Sequence, residues 1–447
     1  MSGIAELLLN LNYSISGSDV KNSEILKRLR KLGAKIYIGH KKSNIKDADV
    51  VVYSSAVNLE NIEVKTARGS SIPVIRRAEM LAELMRMKYG IAVAGSHGKT
   101  TTTSLISTVL AKGGLDPTVV IGGRLNSLGS NAKLGEGEFL IAEADESDGS
   151  FTRLSPTIAV VTNIDKEHMD HYKDLNDIKE AFLEFINKVP FYGLSILCLD
   201  EQYIQELIPK VEKKYVTYGL TSQADYIAKN ISHSGLETSF NLYIKGKETG
   251  EMVINMPGLH SVYNALATIA VGLELDIPFK KIKEALMEFS GIQRRFEIKG
   301  EAGGIMVVDD YGHHPTEIKA VIKAAKEGFK EKRLVVVFQP HRYTRTKYLL
   351  NDFFTAFNDS DKLIITGIYS AGEKPIKGID AKLIYEGAKK YGHKDVSYIK
   401  DLSKIVDFLT DVVEEGDLVL TLGAGNILSV GDEFLSKMEA KKSKRRL

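Results

Sequence analysis

Short apolar runs alternate with amphipathic stretches along the first part of the chain. The apolar runs predict short strands of the parallel type, at 34–38, 50–55 and 73–75. Between a possible first strand at 13–19 and the run at 34–38, apolar residues recur on one helical face. They predict an amphipathic helix that ends at Gly33. Residues 1–11 have helical spacing with no strand before them. The pattern predicts a small doubly wound first domain ending near Lys88.

The same alternation continues to the carboxyl terminus, with a change of pattern in the middle. Further strands are predicted at 91–94, 138–142, 158–162, 305–308 and 334–338, a hairpin at 240–250 and a helix at 262–273. A chain of 447 residues exceeds the size of one growing core. We therefore expect an α/β protein of three domains: a Rossmann-like domain at 1–88, a central P-loop ATPase-type domain at 89–292 and a C-terminal Rossmann-like domain at 293–447.

The strongest local motif follows the strand at 91–94. The sequence GSHGKTTTT occupies 95–103 and gives strand, glycine turn, lysine, hydroxyl and helix start in the order that cradles phosphates. Backbone N–H groups would face phosphate oxygens, Lys99 would add a point charge and Thr100 would reach a magnesium ion. Val93 stands where the common motif has its first glycine. The alternative is a glycine turn that merely caps a helix, but the combination favours a nucleoside triphosphate.

Acidic and imidazole side chains follow two of the predicted strands. Glu143 directly follows the strand predicted at 138–142, where magnesium ligands lie in triphosphate sites. His168 lies in the run 163–171, which holds carboxylates and histidines, although imidazole favours softer metals. Either run could instead be a solvated acidic loop. Asp19 follows a strand as a ribose-binding acid does, or it is a plain helix N-cap.

Polar side chains also collect after two strands in the last third. The loops at 309–315 and 339–345 follow neighbouring apolar runs, and ligands of open α/β sheets bind at the carboxyl ends of strands. These loops should share a cleft. Arg342 and Arg345 offer planar forks that match a carboxylate or a phosphate.

Composition excludes several classes of protein. With 60 basic and 58 acidic side chains the formal charge is +2, which gives no broad nucleic-acid surface. The basic residues at 441–446 are expected to be a solvated tail. One cysteine, Cys198, suits a reducing compartment. No apolar run approaches the roughly 18 residues of a membrane span, and no signal peptide is recognised. We expect a cytoplasmic protein without membrane or nucleic-acid partners.

Several ordered motifs together resemble the Mur ligase family over nearly the whole chain. They are GSHGKTTTT at 95–103, EADESDGSF at 143–151, TNIDKEHMDHY at 162–172, PGLHSVYNALA at 257–267, RRFE at 294–297, DDYGHHPTE at 309–317 and FQPHRYTRT at 338–346. The HHP and FQPHRYTRT loops resemble the branch that adds the first amino acid of the peptidoglycan stem peptide.

The resemblance implies an activity. Members of that branch use ATP and Mg²⁺ to join UDP-N-acetylmuramate and L-alanine in the cytoplasm, as monomers or homodimers. The muramoyl carboxylate attacks the γ-phosphate and forms an acyl phosphate. The amine of L-alanine then displaces phosphate through a tetrahedral intermediate.

The resemblance also implies roles for individual residues. Catalysis would rest on Lys99, Glu143, His168, His313 and Arg345. ATP would contact Gly95, Ser96, His97, Gly98, Lys99, Thr100, Thr101, His260, Asn264, Arg295 and Asp310. Magnesium would be held by Thr100, Glu143 and His168. The UDP-sugar and the amino acid would contact Asp19, His40, Ser54, Ser55, Ala56, Tyr311, His313, His341, Arg342 and Arg345.

Two departures from the family pattern affect these expectations. Family members usually open with a strand and a glycine loop, whereas this chain begins inside that loop, so we expect its first domain to lack the first strand. Ser261 replaces the family asparagine after His260. The alternatives are a P-loop nucleotide switch, which would lack its guanine-reading N-K-x-D run, and a catalytically impaired UDP-sugar-binding fragment.

Overall fold

The computed structural model of the chain describes residues 1–54, 57–121, 132–169 and 171–444. These residues form a mixed α/β structure, which confirms the predicted fold class. The helices are α1 (Ser2–Asn10), α2 (Glu24–Lys31), α3 (Ile62–Gly69), α4 (Arg77–Arg86), α5 (Lys99–Gly113), α6 (Leu175–Asn187), α7 (Gln202–Leu207), α8 (Leu259–Glu274), α9 (Phe279–Met287), α10 (Pro315–Gly328), α11 (Tyr343–Tyr348), α12 (Leu350–Phe353), α13 (Lys382–Lys390), α14 (Leu402–Val412) and α15 (Leu428–Lys444).

Strands occur throughout the described part of the chain. They are β1 (Ser16–Asp19), β2 (Lys35–Ile38), β3 (Val51–Tyr53), β4 (Val74–Arg76), β5 (Tyr89–Ala94), β6 (Thr118–Val120), β7 (Ala132–Lys133), β8 (Phe139–Glu143), β9 (Ile158–Val161), β10 (Leu194–Cys198), β11 (Tyr215–Gly219), β12 (Tyr226–Ser234), β13 (Glu237–Ile244), β14 (Lys247–Ile254), β15 (Glu297–Ala302), β16 (Ile305–Asp310), β17 (Leu334–Phe338), β18 (Lys362–Ile365), β19 (Val396–Tyr398) and β20 (Leu418–Leu422).

The chain divides into two compact units. Unit 1 contains residues 1–230, 240–252 and 263–289, and unit 2 contains residues 231–239, 253–262 and 290–447. The boundaries of the three sequence-based domains, at 88 and 292, stay predictions.

A ten-stranded sheet carries the phosphate-binding motif. Its order is β14-β13-β12-β11-β10-β9-β5-β8-β6-β7, and β5 pairs in parallel with both β8 and β9. The residues Ile91–Ala94 of β5 are fully buried, because this strand is central and covered on both faces. The carboxyl ends of β5, β8 and β9 therefore lie side by side; Glu143 is the last residue of β8, while Lys99 and His168 follow β5 and β9.

The four strands of the amino-terminal region form two separate parallel pairs. β1 pairs with β2 and β3 pairs with β4, each as a two-stranded sheet. β2, β3 and β4 were predicted as short parallel-type strands, which is confirmed, and β1 lies in the possible strand at 13–19. Ser23 caps α2 by accepting from the Leu26 N–H group, so the N-cap interpretation of Asp19 is wrong. Asp19 is instead the last residue of β1.

Unit 2 contains a six-stranded sheet with the order β15-β16-β20-β17-β18-β19. Alternate residues of β17 face two different cores: Val336 and Phe338 pack with α10 and α13, whereas Val335 and Val337 pack with α14 and α15. The strand is thus apolar on both faces, as expected for a parallel strand between two helical layers. β16, β20 and β17 are parallel neighbours, which brings their carboxyl-terminal loops to one edge.

Two predicted elements have different limits in the structure. The hairpin turn is confined to Lys245 and Gly246, which both have positive φ, because a two-residue turn of this kind matches the twist of its strands. β16 continues through Asp309 and Asp310, which were predicted to lie in a loop. Ladder pairing with β20 keeps both aspartates in the strand.

Candidate active site

The phosphate-binding loop of unit 1 needs glycine at two positions. Gly95 has φ +138° and a Cβ there would lie 2.0 Å from Thr162 Oγ1. Gly98 has φ +80°, and its Cβ would lie 2.7 Å from the side-chain oxygen of Asn264. Both the left-handed backbone and the close approach exclude a larger residue. Thr100 and Thr101 lie in the first turn of α5, whose N–H groups form the usual anion site of a helix N-terminus.

Lys99 is surrounded by oxygen acceptors. Its Nζ donates to the carbonyl oxygens of Gly95 (2.5 Å) and Ser96 (3.2 Å) and forms an ion pair with Glu146 at 2.8 Å. Burial favours the neutral amine, but the Glu146 carboxylate outweighs it and raises the pKa of Lys99. Lys99 is therefore a fixed positive charge within the loop.

The loop after β9 holds the phosphate-binding loop in place. Asn163 accepts from the His97 N–H group at 2.8 Å and donates to the His97 carbonyl at 3.1 Å. Thr162 donates to the same carbonyl at 2.6 Å. The imidazole of His97 lies 2.9 Å from Asp165, whose N–H group bonds to the Ser96 hydroxyl. Since these bonds reach both residues between Gly95 and Gly98, the loop after β9 fixes the conformation of the phosphate-binding loop.

His168 lies beside two carboxylates. Its Nε2 is 3.5 Å from Glu146 and 3.7 Å from Glu167, and one ligand atom from each of the three residues lies within 4.8 Å of the others. Burial lowers the pKa of His168, but the hydrogen bond and charge of Glu146, with Glu167, raise it overall. Glu143, the acid selected from the sequence, is the last residue of β8, three residues before Glu146. The predicted roles of Glu143 and His168 stay predictions.

Asn264 lies next to the phosphate-binding loop. Its side-chain oxygen, which approaches Gly98, accepts from the Thr102 hydroxyl at 3.1 Å. This contact joins α8 to the first turns of α5. Asn264 thus lies beside the phosphate-binding loop, and its contact with ATP stays a prediction.

The predicted UDP-sugar residues follow the strands of the amino-terminal pairs. Asp19 is exposed at the end of β1 and accepts from the Lys21 N–H group at 3.2 Å. His40 comes two residues after β2, and Ser54 comes directly after β3. Ser55 and Ala56 lie outside the described residues. The structure thus brings Asp19 and His40 to the carboxyl ends of paired parallel strands.

In unit 2, Asp310 is a buried acceptor at the end of β16. It accepts from the N–H groups of Phe296 (2.8 Å) and Gly312 (2.7 Å). Burial raises the pKa of Asp310 to about 6, although the positive charge of Arg295 opposes this shift. Asp310 therefore fixes the Phe296 and Gly312 backbone, and its predicted contact with ATP is untested.

The loops after β16 and β17 share one edge of the six-stranded sheet, as predicted. The rings of His313 and His341 lie 5.6 Å apart, and His341 stacks on Tyr369. A guanidinium N–H of Arg345 bonds to His341 Nδ1 at 3.2 Å. Arg342, which is exposed, has φ +70°. An aromatic and basic cluster therefore stands where ligands bind in such sheets.

Both histidines of this cluster are held neutral. Burial lowers the pKa of His313 to about 3 and that of His341 to about 4, and nearby Arg345 acts in the same direction on each. His313 Nδ1 lies 3.0 Å from the Tyr311 carbonyl, an acceptor, so Nδ1 carries the hydrogen and Nε2 is left as an acceptor. The cluster can accept hydrogen bonds and pair with an anion at the same time.

The remaining predicted residues of unit 2 lie nearby in the same unit. Burial lowers the pKa of His260 to about 4, with the positive charge of Arg295 as a second cause. The guanidinium of Arg295 lies over the Tyr311 ring at 5.3 Å. Ser261, the departure from the family pattern, lies in the first turn of α8 and donates to the Pro257 carbonyl at 2.8 Å.

Sequence reasoning missed three residues that organise these groups. Glu146, only 2% exposed, stands in the quoted run 143–151 but was not selected over Glu143. Arg295 was selected from the sequence and Arg294 was not. Arg294 nevertheless pairs with Asp309 at 3.0 Å and donates to two backbone carbonyls after β20. Glu63 had no signal at all, because its partners are distant in sequence.

Three models of Mur ligase domains match successive parts of the chain. Residues 1–89 match the model described as Mur ligase family, catalytic domain; residues 93–272 match the Mur ligase middle domain; and residues 294–425 match the Mur ligase glutamate ligase domain. Together these matches cover most of both units.

Full-length relatives and solved structures agree with those matches. A UDP-N-acetylmuramate–L-alanine ligase of Geotalea daltonii is 60% identical over 98% of this chain and 95% of its own. The ligase of the same name from a Geobacter species is also 60% identical, over 99% and 96%. The crystal structure of a UDP-N-acetylmuramate–alanine ligase from Thermotoga maritima has a TM-score of 0.83 at 30% identity and covers 99% of this chain and 97% of its own.

Within the described residues, every helix is too short or too polar to cross a membrane.

Proposed function

The chain belongs to the Mur ligase family, and we propose that it joins L-alanine to the muramoyl carboxylate of UDP-N-acetylmuramate while ATP is converted to ADP and phosphate. Its relatives of 60% identity carry the name of this activity. The observation that carries the proposal is the pairing, in one chain, of a phosphate-binding loop with the neutral-histidine and arginine cluster of unit 2. A nucleotide switch would need only the phosphate-binding loop.

The phosphate-binding loop would bind and activate the triphosphate. Backbone N–H groups of residues 95–101 would face the phosphate oxygens, and Lys99, held positive by Glu146, would neutralise charge on the transferring phosphoryl group. Attack by the muramoyl carboxylate on the γ-phosphorus breaks the bond to ADP and forms an acyl phosphate. Catalysis by this chain then consists of positioning and charge stabilisation.

The donor set near His168 fits a divalent cation. The carboxylates of Glu146 and Glu167 stand beside the imidazole of His168, and carboxylate oxygen is the ligand that Mg²⁺ prefers. We propose Thr100, Glu143 and His168 as its ligands, with the carboxylates of Glu146 and Glu167 adding negative charge beside His168. When bound, the ion supplies charge neutralisation for the triphosphate.

The cluster in unit 2 would bind the amino acid. The guanidinium groups of Arg342 and Arg345 suit the alanine carboxylate. Neutral His313 can accept a hydrogen bond from the amino group at Nε2, and neutral His341, whose Nδ1 accepts from Arg345, adds no positive charge beside those arginines. Positioning the amine for attack on the acyl carbon is the contribution we assign to His313.

Product analysis tests the proposal. The full chain is incubated with ATP, Mg²⁺, UDP-N-acetylmuramate and L-alanine, and the products are resolved by mass spectrometry. We expect a product whose mass is that of UDP-N-acetylmuramate plus L-alanine less one water. It should form in equal amount with ADP, and no product should form when any component is omitted. ADP formation without this conjugate would contradict the proposal.

A further inference from the structure

A buried carboxylate joins the end of β1 to the segment that follows β2. The Glu63 side chain is 12% exposed. One oxygen accepts from the Ser18 hydroxyl at 2.5 Å; the other accepts from the Asn44 amide at 2.6 Å and the Lys41 N–H group at 3.2 Å. Burial opposes ionisation of Glu63, but these hydrogen bonds prevail and lower its pKa. Glu63 is therefore an anion that can only accept.

The polarity of this network fixes the tautomer of His40. Ser18 Oγ also lies 2.9 Å from His40 Nδ1. Ser18 has one hydroxyl hydrogen, and the carboxylate of Glu63 takes it, so Ser18 can only accept from His40. In the neutral imidazole, Nδ1 then carries the hydrogen and Nε2 is an acceptor. This assignment rests on the donor and acceptor capacity of the groups.

The acceptor stands where a ligand would meet it. Ser18 is next to the last residue of β1, and His40 follows the carboxyl end of its parallel partner β2. Ligands of such sheets bind at the carboxyl ends of strands. The His40 side chain is 26% exposed, whereas Glu63 is covered, so the imidazole can touch a ligand and the carboxylate cannot.

We propose that Glu63 is a positioning residue that fixes His40 with hydrogen on Nδ1, so that Nε2 accepts a hydrogen bond from the uridine part of the UDP-sugar. The proposal rests on the proposed function, because that function supplies the uridine. Uridine has two kinds of suitable donor, the N3–H group of the base and the ribose hydroxyls.

Glu63→Gln should reverse this polarity while it preserves the shape. The glutamine oxygen must remain toward Asn44 and Lys41, because both are donors. The amide NH₂ group then faces Ser18 and donates to it, Ser18 donates to His40 Nδ1, and Nε2 carries the hydrogen. In the variant, the Nε2–H group of His40 would face the N–H or O–H donor of the uridine, and no hydrogen bond could form. Glu60→Gln is the matched control, since Glu60 is an exposed acid three residues earlier.

Binding and tautomer are measured on the full chain. At about pH 8 we expect Glu63→Gln to bind UDP about tenfold or more weakly, in line with the loss of one hydrogen bond. ATP affinity should be that of wild type, thermal stability should fall only modestly because the amide replaces an ionised carboxylate in the same hydrogen bonds, and Glu60→Gln should match wild type throughout. Long-range ¹H–¹⁵N spectra of histidine-labelled protein, assigned with His40→Gln, should show the Nδ1–H form in wild type and the Nε2–H form in Glu63→Gln.

Several outcomes would overturn the inference. They are equal UDP affinity in wild type and Glu63→Gln, an equal loss of ATP affinity, or the Nε2–H form in wild type. If wild type binds no UDP, the proposed function fails, whereas the tautomer still decides the role of Glu63. N3-methyl-UDP and 2′,3′-dideoxy-UDP separate the donors: the analogue that binds both proteins equally identifies the donor, and a tenfold difference retained by both analogues contradicts the contact.

Discussion

Lys99 and Glu146 form the ion pair on which the charge of the phosphate-binding loop depends. The Glu146 side chain is 3% exposed and that of Lys99 17% exposed, so neither charge is well solvated. Removing one partner of a buried pair leaves the other uncompensated, which typically costs about 3–5 kcal/mol. The two residues are therefore coupled in stability, but only the lysine is assigned to phosphoryl transfer.

Variants at these two residues should separate stability from turnover. Lys99→Ala should abolish turnover and lower the free energy of unfolding, because Glu146 stays buried without its cation. The double variant Lys99→Ala/Glu146→Gln should regain much of that stability and remain inactive. Denaturant unfolding and phosphate release measure the two effects. Turnover by Lys99→Ala would remove the lysine from the mechanism.

At the scale of elements, the sequence was a good guide wherever an apolar run is buried on both sides. β5, β9 and β17 could be predicted because a parallel strand between helical layers has no polar face. The end of β16 could not, since ladder pairing with β20 holds Asp309 and Asp310 in the strand against their low β-propensity.

The start of α5 offers an element-scale test with an internal control. Gly98→Ala should weaken ATP binding and stability, because φ is +80° and the new Cβ would lie 2.7 Å from the Asn264 oxygen. Gly114→Ala at the other end of α5 has a similar φ of +90° but nothing within 4 Å. It should cost only about 1 kcal/mol of stability.

Calorimetric titration with ATP and thermal unfolding compare the two glycine variants. We expect ATP affinity to fall for Gly98→Ala and to stay at the wild-type value for Gly114→Ala. Equal ATP affinities in both variants would show that the close approach to Asn264 does not shape the loop.

For the whole molecule, the sequence predicted which strands end in polar loops but not which side chains meet. The meeting of the two loops that carry His313, His341 and Arg345 was predicted because parallel strands bring their carboxyl ends to one edge. Glu63 was not, because 45 residues separate it from Ser18 and its own helix gives no sign of a charged partner. Glu146 and Glu143 could not be ranked, since the turn after β8 decides which of them reaches Lys99.

The central claim concerns the acceptor of the phosphoryl group: this chain transfers the γ-phosphoryl group of ATP to a carboxylate, not to water. A nucleotide switch would also convert ATP to ADP and phosphate. The two chemistries differ in the origin of one oxygen of the released phosphate. In the ligase that oxygen comes from the muramoyl carboxylate, because displacement by the amine leaves it on phosphate.

The direct measurement uses UDP-N-acetylmuramate labelled with ¹⁸O in its carboxylate. The full chain is given ATP, Mg²⁺ and L-alanine in unlabelled water, and the released phosphate is analysed by mass spectrometry. We predict one labelled oxygen per phosphate, from a fully labelled carboxylate, and negligible phosphate when the sugar nucleotide is omitted. Phosphate that carries no label, or takes its oxygen from ¹⁸O-water in the reverse experiment, would contradict the account.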